Sequence, residues 1–230
     1  MTDPRLLYAQ QATAALAAAG RQPRRPIEFR SQCGEDALVW DVFGGQFHGF
    51  YIEVGAFDGY TFSATYALDC IGWNGLLIEP IPERYEQCVK NRPSARVVHA
   101  ALGPRNSPRT TTFNITTDQW GGMLSSIGQG LAEPGAVSAT RTVEVPFRTM
   151  DELLEGHTGD IDVAVLDVEG YEVPLLEGFD LRRWRPKLIF LEDNEGDTDI
   201  ARYMRTQPYT EAPRQAHNRV YVRSDLMPPA

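Results

Sequence analysis

Short apolar segments alternate with amphipathic segments along most of the chain. The apolar segments have the length and composition of buried strands, and we predict strands at 50–54, 75–80, 96–102, 161–167 and 186–191. The spacing of apolar residues between them predicts helices at 63–70, 82–91, 150–154, 173–178 and 199–205. This alternation predicts an α/β fold, with a mostly parallel central sheet and helices on both of its faces.

The N-terminal part of the chain stands apart from this alternation. Residues 1–19 are rich in alanine and predict a helix that ends at Gly20. A basic, proline-containing linker follows, and we expect residues 1–28 to form an appendage outside the core. A solvated linker is favoured over a basic docking site. At the other end of the chain, 217–223 is a more polar strand that suits an edge or antiparallel position.

Residues 103–147 also interrupt the pattern, because glycine, proline, serine and threonine become frequent there. Alternating stretches at 110–116 and 141–147 predict two exposed antiparallel strands. A long excursion between them is typical of functional or disordered segments. We interpret it as a substrate-facing loop, with a flexible surface loop around a packed tryptophan as the alternative. The candidate substrate residues are Trp120, Ser125 and Ser126.

Composition and charge narrow the class of protein. With 230 residues, 42% of them hydrophobic and 23% charged, the chain suits one globular α/β domain with an extension. The net charge of -9 argues against nucleic acid and anionic membrane surfaces as partners. No apolar run approaches the ~20 residues needed to span a bilayer, and the N-terminus does not resemble a secretory signal. Three widely spaced cysteines fit reduced thiols in a cytoplasmic protein.

The turn after the first strand reads Glu-x-Gly-x-x-Asp-Gly over residues 53–59. Phe57 occupies the place of a glycine in the dinucleotide fingerprint, and no G-K-[ST] follows as in a phosphate-binding loop. Carboxylates beside the glycines would repel a pyrophosphate. They suit a ligand with a positive centre, an amine and ribose hydroxyls, such as S-adenosylmethionine (SAM). An ordinary strand-to-helix turn is the alternative interpretation.

Carboxylates follow several of the predicted strands. Because ligands of such sheets bind at the carboxyl ends of the strands, these side chains are expected to meet at one edge. Glu79 ends the second strand, close to the ~20 residues after the glycine turn at which an acidic residue binds ribose hydroxyls. The full set at the strand ends is Glu53, Glu79, Asp167, Glu192 and Asp193.

Taken together, the motifs resemble the FkbM family of SAM-dependent methyltransferases. The motifs that match, in order, are Ser31-Gln32-x-Gly34-Glu35-Asp36, Glu53-Val54-Gly55-Ala56-x-Asp58-Gly59, Gly72-Trp73-x-Gly75-Leu76-Leu77-Ile78-Glu79-Pro80, His99-Ala100-Ala101-Leu102 and Leu166-Asp167-Val168-Glu169-Gly170-Tyr171-Glu172. The resemblance implies a Rossmann-like class I methyltransferase domain over residues 29–225. It also implies transfer to a hydroxyl of a sugar, glycolipid or polyketide-type product. Glu53 departs from the family's frequent Asp, and the acceptor pocket is not fixed by the resemblance.

Residues for donor binding can be assigned from the turn and from the resemblance. The segment at 31–36 is expected to close over the methionine end of SAM, and the strand ends are expected to hold the ribose and adenine. The predicted cofactor-binding residues are Ser31, Gln32, Glu35, Asp36, Glu53, Gly55, Asp58, Gly59, Glu79, Ala100 and Leu102.

The remaining polar residues are candidates for the acceptor side. An alcohol loses its proton reluctantly at neutral pH, so a base or a metal ion is needed. The predicted catalytic residues are Asp167, Glu169, Asp193 and His217, with His217 preferred over the other histidines. Asp167, Asp193 and Asn194 resemble the metal ligands of catechol-type O-methyltransferases and suit Mg²⁺. A general base without a metal is the alternative.

The sequence therefore predicts a cytoplasmic SAM-dependent O-methyltransferase with a small-molecule or glycan acceptor. The oligomeric state stays open, with a homodimer as the candidate. One rival is an N- or carboxyl-methyltransferase on the same fold. The other is a SAM-binding regulatory protein without transfer activity.

Overall fold

The computed structural model describes residues 3–116, 125–127, 140–193, 196 and 198–227. Trp120 and Asn194 lie outside the described residues, so their predicted roles stay predictions. The helices are α1 (Pro4–Ala18), α2 (Glu35–Val42), α3 (Tyr66–Ile71), α4 (Pro82–Asn91), α5 (Met150–Leu153), α6 (Glu172–Glu177), α7 (Leu181–Trp184) and α8 (Thr198–Met204).

The strands form a larger central sheet and a smaller second sheet. Their bounds are β1 (Phe50–Val54), β2 (Asn74–Glu79), β3 (Arg96–His99), β4 (Ala101–Leu102), β5 (Thr110–Thr116), β6 (Ser126–Ile127), β7 (Thr140–Arg148), β8 (Val163–Leu166), β9 (Leu188–Glu192), β10 (Tyr209–Gln215) and β11 (Asn218–Arg223).

The central sheet has the order β10-β11-β9-β8-β1-β2-β3. The strands from β3 to β9 in this order run parallel, and β11 and β10 are antiparallel to their neighbours. This confirms the predicted Rossmann-like α/β fold with a mostly parallel sheet. The strand predicted at 217–223 is antiparallel, as expected, but it is not the edge. The edge is β10, a strand missed from the sequence because it is polar and contains Pro213, as edge strands can.

The second sheet has the order β4-β7-β5-β6. Its β5–β7 pair confirms the predicted antiparallel strands at 110–116 and 141–147. The third predicted strand, at 96–102, is divided between the two sheets. Residues up to His99 pair with β2, whereas Ala101 and Leu102 pair with β7. The chain therefore leaves the central sheet at Ala100, beside the end of β2.

Alternate residues of each central strand face opposite sides of the sheet. On β1, Tyr51 packs into the core on one face and Ile52 into the core on the other. α1 packs beside α3 on the Tyr51 side and buries Ala12 and Leu16 almost completely. The expectation that residues 1–28 lie outside the core is therefore wrong for this helix. Its small alanine side chains allow a close approach to the body of the protein.

Among the described residues, no helix is both long enough and apolar enough to cross a bilayer.

Candidate active site

Two adjoining cavities open at the carboxyl ends of the central parallel strands. The larger cavity has a volume of about 280 Å³ and lies between the ends of β2 and β4 on one side and residues 167–171 on the other. The smaller cavity, of about 90 Å³, lies between residues 32–35 and residues 61–64. Gly55 and Asp167 line both cavities, so the two spaces meet at the ends of β1 and β8.

Gly55 is required by the close approach of two backbones. Its φ is +78°, and a Cβ placed there would lie 2.0 Å from the carbonyl oxygen of Asp167. The glycine therefore fits the exit turn of β1 against that of β8, in addition to lining both cavities. Gly59 has a different role from the predicted one, because a Cβ there would meet Sγ of Cys88 on α4 at 2.7 Å.

Asp58 also shapes the turn. Its carboxylate accepts hydrogen bonds from the backbone N–H groups of Tyr60 and Thr61, at 2.9 and 2.6 Å. Among the described residues, Asp58 and Gly59 line neither cavity. The predicted contact of these two residues with the donor stays a prediction. They fix the shape of the loop from which other residues reach the cavities.

Glu79 is buried at the tip of β2 and lines the larger cavity, as the sequence predicts for a ribose-binding carboxylate. Its two oxygens accept hydrogen bonds from the backbone N–H groups of Phe57 and Ile81, each at 2.8 Å. Burial raises the pKa of Glu79 to about 8, although the two N–H groups act in the opposite direction. The carboxyl group is thus held rigidly at the cavity wall.

Apolar side chains surround the part of the larger cavity beyond Glu79. Ala100 and Leu102, the predicted adenine-lining residues, both line it. Sequence reasoning missed Ile81 and Phe113 beside them. Ile81 directly follows the Glu-Pro motif, and Phe113 lies on the buried side of the alternating strand β5, so a signal was present for each.

The described part of the predicted substrate loop reaches the same cavity. Ser125 lines the larger cavity, and its Oγ accepts a hydrogen bond from the backbone N–H of Thr116 at 3.0 Å. Ser126 is buried and lines neither cavity within the described residues. The structure places it in the β5–β6 pair, and its predicted contact with a substrate stays a prediction.

Only some of the predicted cofactor-binding residues in the segment before α2 line a cavity. Gln32 and Glu35 line the smaller cavity, and Glu35 Oε1 accepts a hydrogen bond from Asn218 Nδ2 at 2.7 Å. Ser31 and Asp36, however, line neither cavity within the described part of the chain. Ser31 Oγ donates to Asp36 at 2.5 Å, so this pair fixes the segment from behind. Burial raises the pKa of Asp36, and its hydrogen bonds oppose that shift.

Glu53 belongs to the wall of the smaller cavity. Its carboxylate accepts hydrogen bonds from Ser63 Oγ at 2.8 Å, from the backbone N–H of Ala64 at 2.9 Å and from Thr65 Oγ1 at 2.5 Å. These bonds tie the end of β1 to the loop that leads into α3.

Three carboxylates meet where the cavities join. Oxygen atoms of Asp167, Glu169 and Glu192 lie within 4.8 Å of one another. Asp167 is exposed where the two cavities join. Partial desolvation of its carboxyl group by the surrounding strand ends, followed by the negative charge of Glu192, raises the pKa of Asp167 well above its usual range. Such shifts are common among residues that exchange protons with a substrate.

Glu172 fixes the turn after β8, which carries Asp167 and Glu169. Its carboxylate accepts hydrogen bonds from the backbone N–H groups of Val168, at 3.1 Å, and Gly170, at 3.4 Å. Burial raises the pKa of Glu172 to about 7. Glu169, which lies between these two residues in the chain, has a φ of +54°, a backbone conformation that residues other than glycine rarely adopt.

Asp193 does not lie in the cluster of three carboxylates, and this corrects its predicted catalytic and metal-binding roles. Its buried side chain forms ion pairs with Arg219 and Arg214 on the antiparallel strands. Successive residues at a strand end point in opposite directions, so only one of the neighbours Glu192 and Asp193 can face Asp167. The structure assigns that position to Glu192. Among the described residues, Glu192 and not Asp193 therefore accompanies Asp167, and the predicted role of Asn194 lies outside the described residues.

His217 lies in the turn between β10 and β11, where it is exposed and lines both cavities. Its carbonyl oxygen accepts a hydrogen bond from the backbone N–H of Asp193 at 2.8 Å, which holds the turn at the cavity mouth. His157 instead stacks on Phe50, with 4.2 Å between the ring centroids. The preference for His217 over His157 as a site residue agrees with these positions.

Comparison with known protein families identifies one family model that matches most of the chain. A family model described as the methyltransferase FkbM domain matches residues 53–216. Comparison with curated proteins gave no match.

Several solved structures resemble the chain at low sequence identity. The METTL16 MTase domain has a TM-score of 0.46 and 15% identity, over 81% of this chain and 64% of that one, so this chain spans less than two thirds of its length. A TehB-like SAM-dependent methyltransferase from Corynebacterium glutamicum has a TM-score of 0.43 and 14% identity, over 96% and 100% of the two chains. The O-methyltransferase from Bacillus cereus in complex with SAH has a TM-score of 0.45 and 11% identity, over 96% of this chain and 92% of that one.

Proposed function

The chain belongs to the FkbM methyltransferase family, and we propose that it transfers the methyl group of SAM to a hydroxyl of a sugar, glycolipid or polyketide-type small molecule. One observation carries the proposal. The glycine turn, the buried Glu79 and the carboxylates around Asp167 all border one pair of connected cavities. A donor and an acceptor can therefore meet there, beside the clustered carboxylates.

We assign the adenosine part of the donor to the larger cavity. Ala100 and Leu102 offer an apolar surface for the adenine, and Glu79 offers carboxylate oxygens for the ribose hydroxyls. The methionine end then occupies the smaller cavity, where Gln32 and Glu35 line the wall. The sulfonium lies where the cavities join, and the nearby carboxylates favour its positive charge.

In the proposed reaction, the acceptor oxygen attacks the methyl carbon in line with the carbon–sulfur bond. The oxygen–carbon bond forms as the carbon–sulfur bond breaks, and the sulfur leaves as neutral S-adenosylhomocysteine (SAH). Asp167 takes the proton of the hydroxyl group. Its raised pKa makes it a stronger base than an ordinary carboxylate, which suits proton removal near neutral pH.

A second candidate for activating the hydroxyl is a divalent cation. The spacing of oxygens in Asp167, Glu169 and Glu192 favours it, because hard cations bind clustered oxygen ligands. When bound, such an ion would lower the pKa of the acceptor hydroxyl. These three residues would hold it in place of the set predicted from the sequence.

The proposal extends to the partner class. The net charge of -9 supports a small-molecule or glycan acceptor and opposes a nucleic-acid one. A cytoplasmic location and a homodimer complete the proposal as expectations from the sequence.

The test combines calorimetry with SAH and mass spectrometry of methyl transfer. The full chain is incubated with SAM and a panel of methyl glycosides, hydroxylated macrolides, amino sugars and carboxylic acids. We expect SAH to bind and one of the hydroxyl compounds to gain a methyl group on oxygen. Methylation of nitrogen or of a carboxylate would favour the first rival function. SAH binding without transfer to any compound class would favour a SAM-binding regulatory protein.

A further inference from the structure

Arg92, the residue that follows α4, is fully buried and uses every donor of its guanidinium group. Nε donates to Asp69 at 3.0 Å. Nη1 donates to the carbonyl of Gly59 and to Ser63 Oγ, both at 3.1 Å. Nη2 donates to the carbonyl and the hydroxyl of Thr65, at 3.2 and 2.9 Å. A guanidinium has five N–H donors, so none remains unused.

Four of these five acceptors, all except Asp69, belong to the loop that borders the smaller cavity. Thr61, Phe62, Ser63 and Ala64 of this loop line that cavity. Arg92 Nη1 also lies 3.5 Å from Glu53, which holds the same loop from the side of β1. A single buried cation thus fixes residues 59–65, which we call the donor loop, from beneath.

The other side of Arg92 connects to the N-terminal segment through Asp69. This carboxylate is fully buried and forms ion pairs with Arg92, Arg24 and Arg25. Arg24 also donates to the carbonyl oxygens of Trp73 and Gly72, at 2.6 and 2.9 Å. The linker arginines are therefore bound to the protein, contrary to the expectation of a solvated linker. Both precede residue 53, where the family match begins.

We propose that Arg92 is a positioning residue for the methionine end of the donor, and that Arg24 and Arg25 hold it in place through Asp69. The inference rests on the proposed function, because it assigns the methionine end to the smaller cavity. Arg92 touches no part of the donor in this arrangement. It acts through the donor loop and Glu53, whose positions decide the shape of that cavity.

The test compares two ligands that differ at the end in question. In the proposed arrangement SAH occupies both cavities, whereas 5′-methylthioadenosine has the adenosine but lacks the amino-acid end. Calorimetry of the full chain gives the Kd of each ligand, at a temperature well below the melting temperature of every variant. The variants are Arg92→Lys, which has fewer donors, and the double substitution Arg24→Gln/Arg25→Gln. Arg21→Gln is the control, since Arg21 lies in the same linker but packs over Phe47 rather than Asp69.

We expect Arg92→Lys and the double variant to weaken SAH by roughly 3- to 30-fold, the range typical of residues that act through a network. Methylthioadenosine should stay within about twofold of wild type, and Arg21→Gln should change neither ligand. Equal weakening of both ligands, or an unchanged SAH affinity, would overturn the inference. If Arg92→Lys does not fold, the double variant decides, because its two arginines are partly exposed. Wild-type protein that bound neither ligand would overturn the proposed function itself.

Discussion

Glu79 shows how two opposing effects meet on one side chain. Its burial favours the neutral acid, whereas the N–H groups of Phe57 and Ile81 favour the carboxylate. Burial prevails and the pKa rises to about 8. Ribose hydroxyls bind best to the ionised form, so a donor that binds Glu79 as proposed must displace a proton at neutral pH. The proposal therefore couples the affinity for adenosine compounds to pH.

We predict that methylthioadenosine binds more weakly as the pH falls. Below the pKa of about 8, the free protein carries a proton on Glu79 that must leave on binding, so the Kd should rise by up to about tenfold per pH unit. Calorimetry from about pH 8.5 down to about pH 6.5 measures the slope. Methylthioadenosine has no amino-acid group that titrates in this range. Glu79→Gln should bind weakly with no slope, and a flat wild-type profile would show that ionised Glu79 does not hold the ribose.

Asp167 and Asp193 provide a matched pair at neighbouring strand ends. We predict that Asp167→Asn lowers turnover by roughly 10²- to 10⁴-fold, the usual contribution of a general base. Its affinity for SAH should change little, since SAH has no sulfonium charge. Methyl transfer to an acceptor found in the panel measures the first effect, and calorimetry the second.

Asp193→Asn should behave in the opposite way. It removes a buried charge from Arg214 and Arg219, so we expect the free energy of unfolding to fall by about 1–3 kcal/mol. Turnover per folded molecule should stay near that of wild type. Urea unfolding and the same transfer assay test this. A selective loss of turnover in Asp193→Asn would restore the role predicted from the sequence.

Substitutions at Gly55 and Gly156 allow the cost of backbone strain to be distinguished from the cost of steric overlap. Their φ values are +78° and +81°, but a Cβ at Gly156 meets nothing within 4 Å, whereas one at Gly55 meets the Asp167 carbonyl. Gly156→Ala should cost about 1–2 kcal/mol of unfolding free energy, from its conformation alone. Gly55→Ala should cost about 1–3 kcal/mol more, from overlap. Equal costs by urea unfolding would show that the β1 and β8 turns can move apart.

At the scale of elements, the strands and helices of the central sheet follow from the spacing of apolar residues. β1 and α4 have the predicted bounds, because a short apolar run and an amphipathic segment after proline leave little choice. β10 was missed since Thr210, Glu211 and Arg214 carry no apolar alternation. The packing of α1 was also missed, because alanines can face either a core or solvent.

We predict that α1 stabilises the whole protein. Leu16 is 1% exposed, so Leu16→Ala should lower the free energy of unfolding by about 2–5 kcal/mol. Leu7, on the same helix, is 49% exposed, and Leu7→Ala should change it by no more than about 0.5 kcal/mol. Urea unfolding compares the two. Similar small effects would mean that α1 is the appendage expected from the sequence.

At the scale of the whole molecule, the sequence could predict which edge of the sheet carries the site, because the carboxyl ends of parallel strands lie together. Strand order brings Gly55, Glu79 and Asp167 to one edge, and the sequence predicted that edge. It could not decide whether Glu192 or Asp193 faces Asp167, because that choice depends on the register of β9 against β8 and β11. The arginines that bind Asp69 were likewise hidden, since long-range ion pairs leave no local pattern.

We predict that metal removal leaves the activity intact. If Asp167 acts as the base, turnover after EDTA treatment and desalting should stay within about twofold of the untreated enzyme. SAH affinity, measured in parallel, controls for damage to the donor site. A loss of turnover with retained SAH affinity, restored by Mg²⁺ alone, would establish the cation on Asp167, Glu169 and Glu192 instead.

The position of β1 in the middle of the sheet has a consequence for synthesis. β1 pairs with β2 on one side, but its other neighbour, β8, comes much later in the chain. The hydrogen bond from Phe50 N–H to Asp162 spans 112 residues. On the ribosome, the glycine turn emerges long before the strand that closes it, and β1 keeps an open edge until then. Assembly is therefore governed by slow, non-local pairing, and a nascent chain that stalls before β8 exposes a strand edge that chaperones would have to cover.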